Sequence, residues 1–259
     1  MSTSVANSRN FLADLPFFKG QRSEDLDKFL LSANIYDYPK GHHLFSSGDK
    51  AQKFYIIMEG WLKLYRSTFE GEEAVLAIFT RGDVFGEAAV FDDATYPFSV
   101  EVAENAKLME IPAHVLRETA KDNPSIMGRI MASMSREMQK LQLENEHLSI
   151  MTAPQRVGCL LLQLSTGMQG KGGTFSFPYD KSLAAARLGM KPETFSRALS
   201  QLKPFGVNIS GSEITINSFQ CLVQYVCGHC SLHAGECRGA REFNSGSSSS
   251  CSSKGSCCK

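Results

Sequence analysis

The sequence predicts an α+β protein built from an antiparallel β-roll (jelly roll), one long helix and a C-terminal winged helix-turn-helix. Three patterns carry this reading. Short apolar strands punctuated by turn glycines occupy the first half. A methionine-rich 4/3 repeat begins after Pro124. The segment SLAAARLGMKPETFSRALSQLK (182–203) then reads as two amphipathic helices around a glycine turn.

The roll reading starts with a short helix over 23–32, with Ser23 as its cap and Leu26, Phe29 and Leu30 facing inward. Strands follow at 54–60, 61–67, 73–79, 99–105 and 107–113, with glycines at 41, 48, 60, 71, 82 and 86. Many short strands at such spacing suit an antiparallel roll that closes on itself to limit free edges.

From Pro124 the period changes. Met127, Met131, Met134, Met138, Leu141, Asn145 and Leu148 alternate steps of four and three. This is the seam of a two-stranded coiled coil, with Asn145 placed to fix register, and it predicts a homodimer. Thr152-Ala153-Pro154 ends the helix and hinges into the last domain. The predicted divisions are a sensory roll over 1–123, a dimerisation helix over 124–151 and a winged helix-turn-helix over 152–220. A cysteine-rich extension covers 221–243, and a Ser/Gly-rich tail expected to be disordered covers 244–259.

In the winged domain a helix is expected around 155–165, a strand at 174–178, and a hairpin with strands at 207–210 and 213–217 turning at Gly211-Ser212. Between them, Leu183, Ala184, Ala185, Leu188, Phe195, Leu199 and Leu202 recur at helical spacing, so each helix buries one side. Gly189 marks the turn. Pro192 opens the second helix, where a missing N–H costs nothing. The outer side of that helix can read base edges in a major groove. A carboxylate at Glu193 accepts from cytosine N4, a guanidinium at Arg197 donates twice to guanine, and Ser196 reaches base or backbone. Lys181, Arg187, Lys191, Thr194 and Gln201 are candidates for phosphate contacts. An ordinary helical hairpin used as a protein interface needs none of Glu193, Ser196 and Arg197 on one face.

The bulk numbers leave room for this. The 259 residues carry 27 basic and 27 acidic side chains, a formal net charge of zero. Their distribution is uneven: residues 59–104 hold ten acids and three bases, whereas 180–209 hold five bases and two acids. No run of 18 apolar residues suggests a membrane span, and the start lacks the basic-then-apolar order of a signal peptide, so a cytoplasmic protein is expected. Seven of the eight cysteines lie between Cys221 and Cys258, a local feature rather than a disulfide framework. An enzyme of the metal-binding jelly-roll type would need a His-x-His cluster on its strands, and none exists.

With its β-roll, IIMEGWLKLYR, RGDVFGE and LAAARLGMKPETFSRAL, the chain resembles transcription regulators of the cyclic-AMP receptor protein and fumarate-nitrate reductase regulator (Crp/Fnr) family over roughly residues 11–220. The resemblance implies a cyclic-nucleotide-binding-like roll and a homodimer that recruits or obstructs RNA polymerase without enzymatic turnover. In the fumarate-nitrate branch, glutamate, serine and arginine at the positions of Glu193, Ser196 and Arg197 read a TTGAY half-site in an inverted repeat. The cyclic-AMP branch has an arginine where this chain has Pro192.

The sensed signal is read from two places. Nucleotide-binding relatives hold the cyclic phosphate with Gly-Glu and with Arg-Ser nine residues on. Here Gly86-Glu87 is present but Pro97 and Phe98 stand at the latter positions, which argues against cyclic AMP. Cys221, Cys227, Cys230 and Cys237 form the richer group, with five, two and six residues between them. Four such thiolates suit a [4Fe–4S] cluster or zinc, and His229 or His233 could replace one, Cys221 above all. Fumarate-nitrate regulators sense oxygen with such a cluster, and a bacillar variant places its cysteines C-terminally, with a last spacing two residues shorter. An oxygen or nitric oxide signal is therefore expected, with a thiol switch, structural zinc, or haem near His42 and His43 as alternatives. The two histidines read as exposed turn residues, Glu87 as a surface turn residue and Cys159 as core. Cys251, Cys257 and Cys258 fall in the tail.

Overall fold

A computed structural model describes residues 2–91, 95–165 and 173–227. They form two compact units that divide between Lys140 and Leu141. The first contains α1 (Ser2–Asp14), α2 (Ser23–Ser32), β1 (Asn34–Tyr38), β2 (His43–Phe45), β3 (Lys53–Ser67), β4 (Glu73–Thr80), β5 (Val84–Phe85), α3 (Glu87–Phe91), β6 (Ser99–Pro112) and α4 (Ala113–Asp122). The long helix α5 (Ser125–Ile150) runs across the division. The second unit continues with α6 (Ala153–Leu164), β7 (Gly173–Ser176), α7 (Lys181–Arg187), α8 (Pro192–Gln201), a 3-10 turn at Lys203–Phe205, β8 (Val207–Ser210), β9 (Glu213–Ile216) and α9 (Phe219–Cys227).

The first unit is the expected antiparallel roll. Its six strands follow the order β1-β6-β3-β4, with β2 on β6 and β5 on β3. The structure differs from the sequence reading in strand count. Residues 54–60 and 61–67 form one 15-residue strand, and 99–105 and 107–113 merge into the 14-residue β6. Gly60 explains this. Its φ of 92° bends β3 without ending it, and the pairing with β6 shifts register on either side of Trp61. A Cβ at Gly60 would press on the Asn105 carbonyl and lie 2.6 Å from Ala106 Cα. A glycine that looks like a turn in sequence is here a close approach of two strands.

The helix over 23–32 forms as expected, with Leu26 and Phe29 buried and Leu30 half-buried. Its cap differs: Arg22 occupies the cap position, and the Ser23 hydroxyl accepts a hydrogen bond from Arg9 instead. The first-turn acid Asp25 is fully buried and ties the helix to the entry of α5. Arg22 Nε donates to it at 2.9 Å and Asn123 Nδ2 at 2.7 Å. Burial works to raise this carboxyl, but the hydrogen bonds from Arg22 and Asn123 outweigh it and hold the group below its ordinary value of 3.8. The next turn of the chain packs in the same place: Ile126 and Ile130 of α5 are buried against the roll core.

In the second unit the expected elements appear within a residue or two of the predicted limits. α5 stops at Ile150 and α6 starts at Ala153, with the Thr152 N–H donating to Gln155 Oε1 at 2.9 Å. The sheet order is β7-β9-β8, and the hairpin turns at Gly211, φ 61°. The predicted extension from 221 begins, in the structure, inside a helix of the domain. α9 buries Phe219, Leu222, Val223 and Val226, and packs so tightly on α6 that a Cβ at Gly158 would lie 2.6 Å from Val226 Cγ2.

Two expectations follow from this packing. Gly60→Ala should destabilise the roll by roughly 2–4 kcal/mol, from a positive φ plus a backbone clash, measured by chemical denaturation. Because the Asp25 carboxyl is depressed in the folded state, its contribution is complete above about pH 4–5 and lost as pH falls through the lower folded value. Wild-type stability should drop over that acid range, and Asp25→Asn should remove that part of the drop while lowering stability at pH 7.

Candidate nucleic-acid interface

The reading motif is built on a buried seat. Ala184 and Ala185 of α7, and Phe195, Ala198 and Leu199 of α8, are each at most 3% exposed, and Leu202 beyond them is fully buried. Phe195 meets Phe177 edge-on, ring centroids 6.1 Å apart. Leu183 and Leu188 are only half-buried, while Met190 and Ala198, which the spacing argument passed over, are buried. The turn closes by backbone bonds: Leu188 N–H donates to Ala185 O at 3.1 Å, and Met190 N–H to the same oxygen at 2.9 Å. Gly189 takes φ 61° between them. Lys191 occupies the cap position of α8 without a side-chain capping bond, and Pro192 opens the helix.

With that seat filled, the opposite face of α8 is fixed. Glu193, Thr194, Ser196, Arg197 and Gln201 are all exposed, as is Lys191. Glu193 and Arg197 are one helical turn apart, so both point to the same side. These are the side chains that the sequence reading expects to meet base edges and phosphates, and all are open to solvent.

Lys181 and Arg187 stand apart from the other phosphate candidates. Lys181 Nζ donates to the Gly211 carbonyl, joining the start of α7 to the tip of the wing. The Arg187 guanidinium, at the end of α7, pairs with Glu144 on α5. A third cation, which the sequence reading missed, holds the turn itself: Arg156 of α6 donates from Nη1 to the Leu188 carbonyl at 3.0 Å. Burial lowers the affinity of this guanidinium for its proton. Its only sequence signal is its place two residues after Pro154, at the start of the domain's first helix.

The predicted cysteine ligands are only partly within the described residues. Cys221 lies on α9 and is 7% exposed; Cys227 ends the same helix and is half-buried. Six residue steps along the helix separate them by about 9 Å along the axis and about 120° around it. Cys230 and Cys237 lie outside the described residues, as do His229, His233, Cys251, Cys257 and Cys258. Cys159 is buried on α6, as expected.

Inside the roll, rings surround the Gly86-Glu87 step. Phe45 stacks on Tyr96 at 3.7 Å and Tyr55 on Phe85 at 5.1 Å, while Phe98 stands 6.2 Å from Phe45. A Cβ at Gly86 would lie 3.3 Å from Tyr96 Cε1. Glu87 is half-buried at the start of α3, not a surface turn residue. Loss of solvent pushes its carboxyl up to about 7, against its own backbone hydrogen bond and with help from Glu137. His42 and His43 are exposed. The His42 ring lies 4.8 Å from that of Tyr38, and His43 contacts Ser46 Oγ at 2.9 Å through Nε2.

Two family models match these two units: the cyclic nucleotide-binding domain over residues 36–123 and the Crp-like helix-turn-helix domain over 155–225. The cyclic AMP receptor protein of Thermus thermophilus is 30% identical over 192 residues, 74% of this chain and 87% of that protein. The chain belongs to the Crp/Fnr family. A second relative, the fumarate and nitrate reduction regulatory protein of Vibrio cholerae, is 32% identical over 184 residues, 68% of this chain and 72% of its own. A solved Ruegeria pomeroyi protein, 33% identical, covers 87% of this chain and 99% of its own with a TM-score of 0.65. As a member of this family of transcription regulators, the chain binds DNA through its Crp-like helix-turn-helix, of which α7 and α8 are the two helices. The second match extends to residue 225, and so takes in most of α9. No helix among the described residues is long and apolar enough to cross a membrane.

Proposed function

We propose that this Crp/Fnr regulator binds a TTGAY-type inverted repeat as a homodimer and controls RNA polymerase in response to oxygen or nitric oxide. The observation that carries the reading is the single exposed face of α8 on which Glu193, Ser196 and Arg197 stand, above a fully seated Phe195 and Ala198. Pro192 supports the fumarate-nitrate type of half-site, since it supplies no side-chain donor. Lys191, Thr194 and Gln201 flank that face as phosphate contacts, and Lys181 and Arg187 add to them from α7.

Dimerisation is supported by the coiled-coil seam. Met131, Met134, Met138, Leu141 and Leu148 are 55–66% exposed on α5 in the single chain, and Asn145 is exposed with them. A second copy of α5 would cover this stripe and set two α8 helices about 34 Å apart, one turn of DNA.

For the signal, the aromatic filling around Gly86 and the presence of Pro97 and Phe98 disfavour a cyclic phosphate in the roll. The Vibrio cholerae relative is named for fumarate and nitrate reduction, which fits a redox signal. The half-buried Cys227 thiol, with Cys230 and Cys237, would hold a [4Fe–4S] cluster. Because α9 keeps Cys221 buried and about 9 Å along the helix from Cys227, the fourth place falls to His229 or His233 before Cys221. Such a cluster supplies one chemistry, loss or conversion on contact with oxygen or nitric oxide. The protein's part is to present soft ligands at the end of α9.

Two measurements check these points. Arg197→Ala should cost about 1–3 kcal/mol on the TTGAY repeat and little on a repeat whose guanine is replaced, so that preference at that base relaxes. Equal weakening on both would remove Arg197 from base reading. Anaerobically purified protein should carry iron and sulfide and a brown visible absorption that air bleaches. A colourless protein with one zinc per chain would replace the cluster by a structural metal site.

A further inference from the structure

The contact between Arg187 and Glu144 has a consequence for DNA affinity. Arg187 is the last residue of α7 and Glu144 lies on α5, both within the second compact unit. Their side chains are 19% and 28% exposed, so solvent screens the pair only in part. The Arg187 charge also acts on the buried Tyr179, lowering a hydroxyl that burial pushes up to about 12. The guanidinium is thus paired with a carboxylate at the end of α7, beside the turn into α8. Lys181, by contrast, gives its hydrogen bond to a neutral carbonyl and keeps its full charge for a phosphate.

A guanidinium fork fits a carboxylate and a phosphate by the same planar, two-donor geometry. One that is already paired brings no net charge to DNA and must first leave its partner. We propose that Glu144 is an internal competitor for DNA: it holds Arg187 in the free protein and yields it to a backbone phosphate in the complex. Glu144 is then a positioning residue that restrains affinity without taking part in base reading. It also lies three residues after Leu141 and one before Asn145 of the coiled-coil seam. The helix proposed to join two copies therefore carries a direct hold on a phosphate-binding side chain. This inference rests on the family's use of α7 and α8 at DNA, and not on the half-site or the effector.

The test uses full-length wild type, Glu144→Gln, Arg187→Gln and the double variant. Affinity is measured across a salt series on a TTGAY inverted repeat and on an unrelated duplex, with sedimentation to confirm that all four share one oligomeric state. Glu144→Gln should bind both duplexes about two- to fivefold more tightly, the size expected of a partly exposed ion pair. Its log–log salt slope should steepen by up to about 0.9, one further phosphate. The ratio between the two duplexes should not move, and in the Arg187→Gln background the Glu144 change should have no effect. An unchanged or weakened Glu144→Gln protein would overturn the proposal, weakening in particular meaning that the pair holds α7 in the DNA-competent place. Equal tightening with and without Arg187 would also overturn it, since that is removal of negative charge alone. Failure of the half-site reading would appear separately, as equal wild-type affinity for the two duplexes.

Discussion

Burial of Phe195, Ala198 and Leu199 under α8 is the constraint on which the proposed DNA reading depends. A helix exposes whatever its buried stripe leaves over, so seating these three residues decides that Glu193, Ser196 and Arg197 face outward together. The seat is filled from several directions. Phe177 closes it from the segment after β7, Ala184 and Ala185 from α7, and Leu202 from the turn beyond. A polar residue in this seat would let the helix roll, and a roll of one residue, about 100°, would carry Arg197 off the reading face. The same logic explains the small side chains of α7: two alanines let the helices approach closely, and the Gly189 turn sets their angle without a strained residue.

How far the sequence discloses this structure depends on whether a signal is local. The helix-turn-helix, the break between α5 and α6 near Thr152 and the Gly211 hairpin were legible because turn residues and helical spacing act within a few positions. The strand count was not. Gly60 looks like Gly71 in sequence, yet one bends a continuous strand against Asn105 and Ala106 while the other sits in the loop between strands. Only a partner 45 residues away distinguishes them. Ser23 failed as a cap for a similar reason, since a distant arginine claims its hydroxyl. α9 was masked by its cysteines, although Phe219, Leu222, Val223 and Val226 carry a helical period that marks it as core.

The exposed face of α8 was legible in sequence, and the electrostatics around it less so. An exposed arginine on an amphipathic helix has the same pattern whether it meets a phosphate or a carboxylate 43 positions earlier. Lys181 and Arg187 thus looked equivalent, yet one is held by a neutral wing carbonyl and the other by an acid. That difference sets how much charge each has left for a phosphate if the proposed contacts form. It belongs to tertiary structure alone.

The position of α9 bears on how a C-terminal signal could reach the reading helix. Tyr225 stacks on Phe205 with ring centroids 3.8 Å apart, and Phe205 belongs to the 3-10 turn that directly follows α8. Gln155 of α6 reaches the Tyr225 carbonyl at 3.5 Å, and Gly158 lets Val226 and Leu222 sit against the α6 backbone. Cys227 is two residues beyond Tyr225. Close packing of this kind does not deform smoothly, so a shift in the last turn of α9 must move Phe205 or open the contact with Gly158. Either displacement acts on the helix that carries Arg197 or on the helix whose Arg156 holds its turn. A ligand set built from Cys227 onward would therefore act within the DNA-binding domain itself. The roll, its interior filled by Phe45, Tyr55, Phe85 and Tyr96, would then need to supply no signal of its own for the reading face to move.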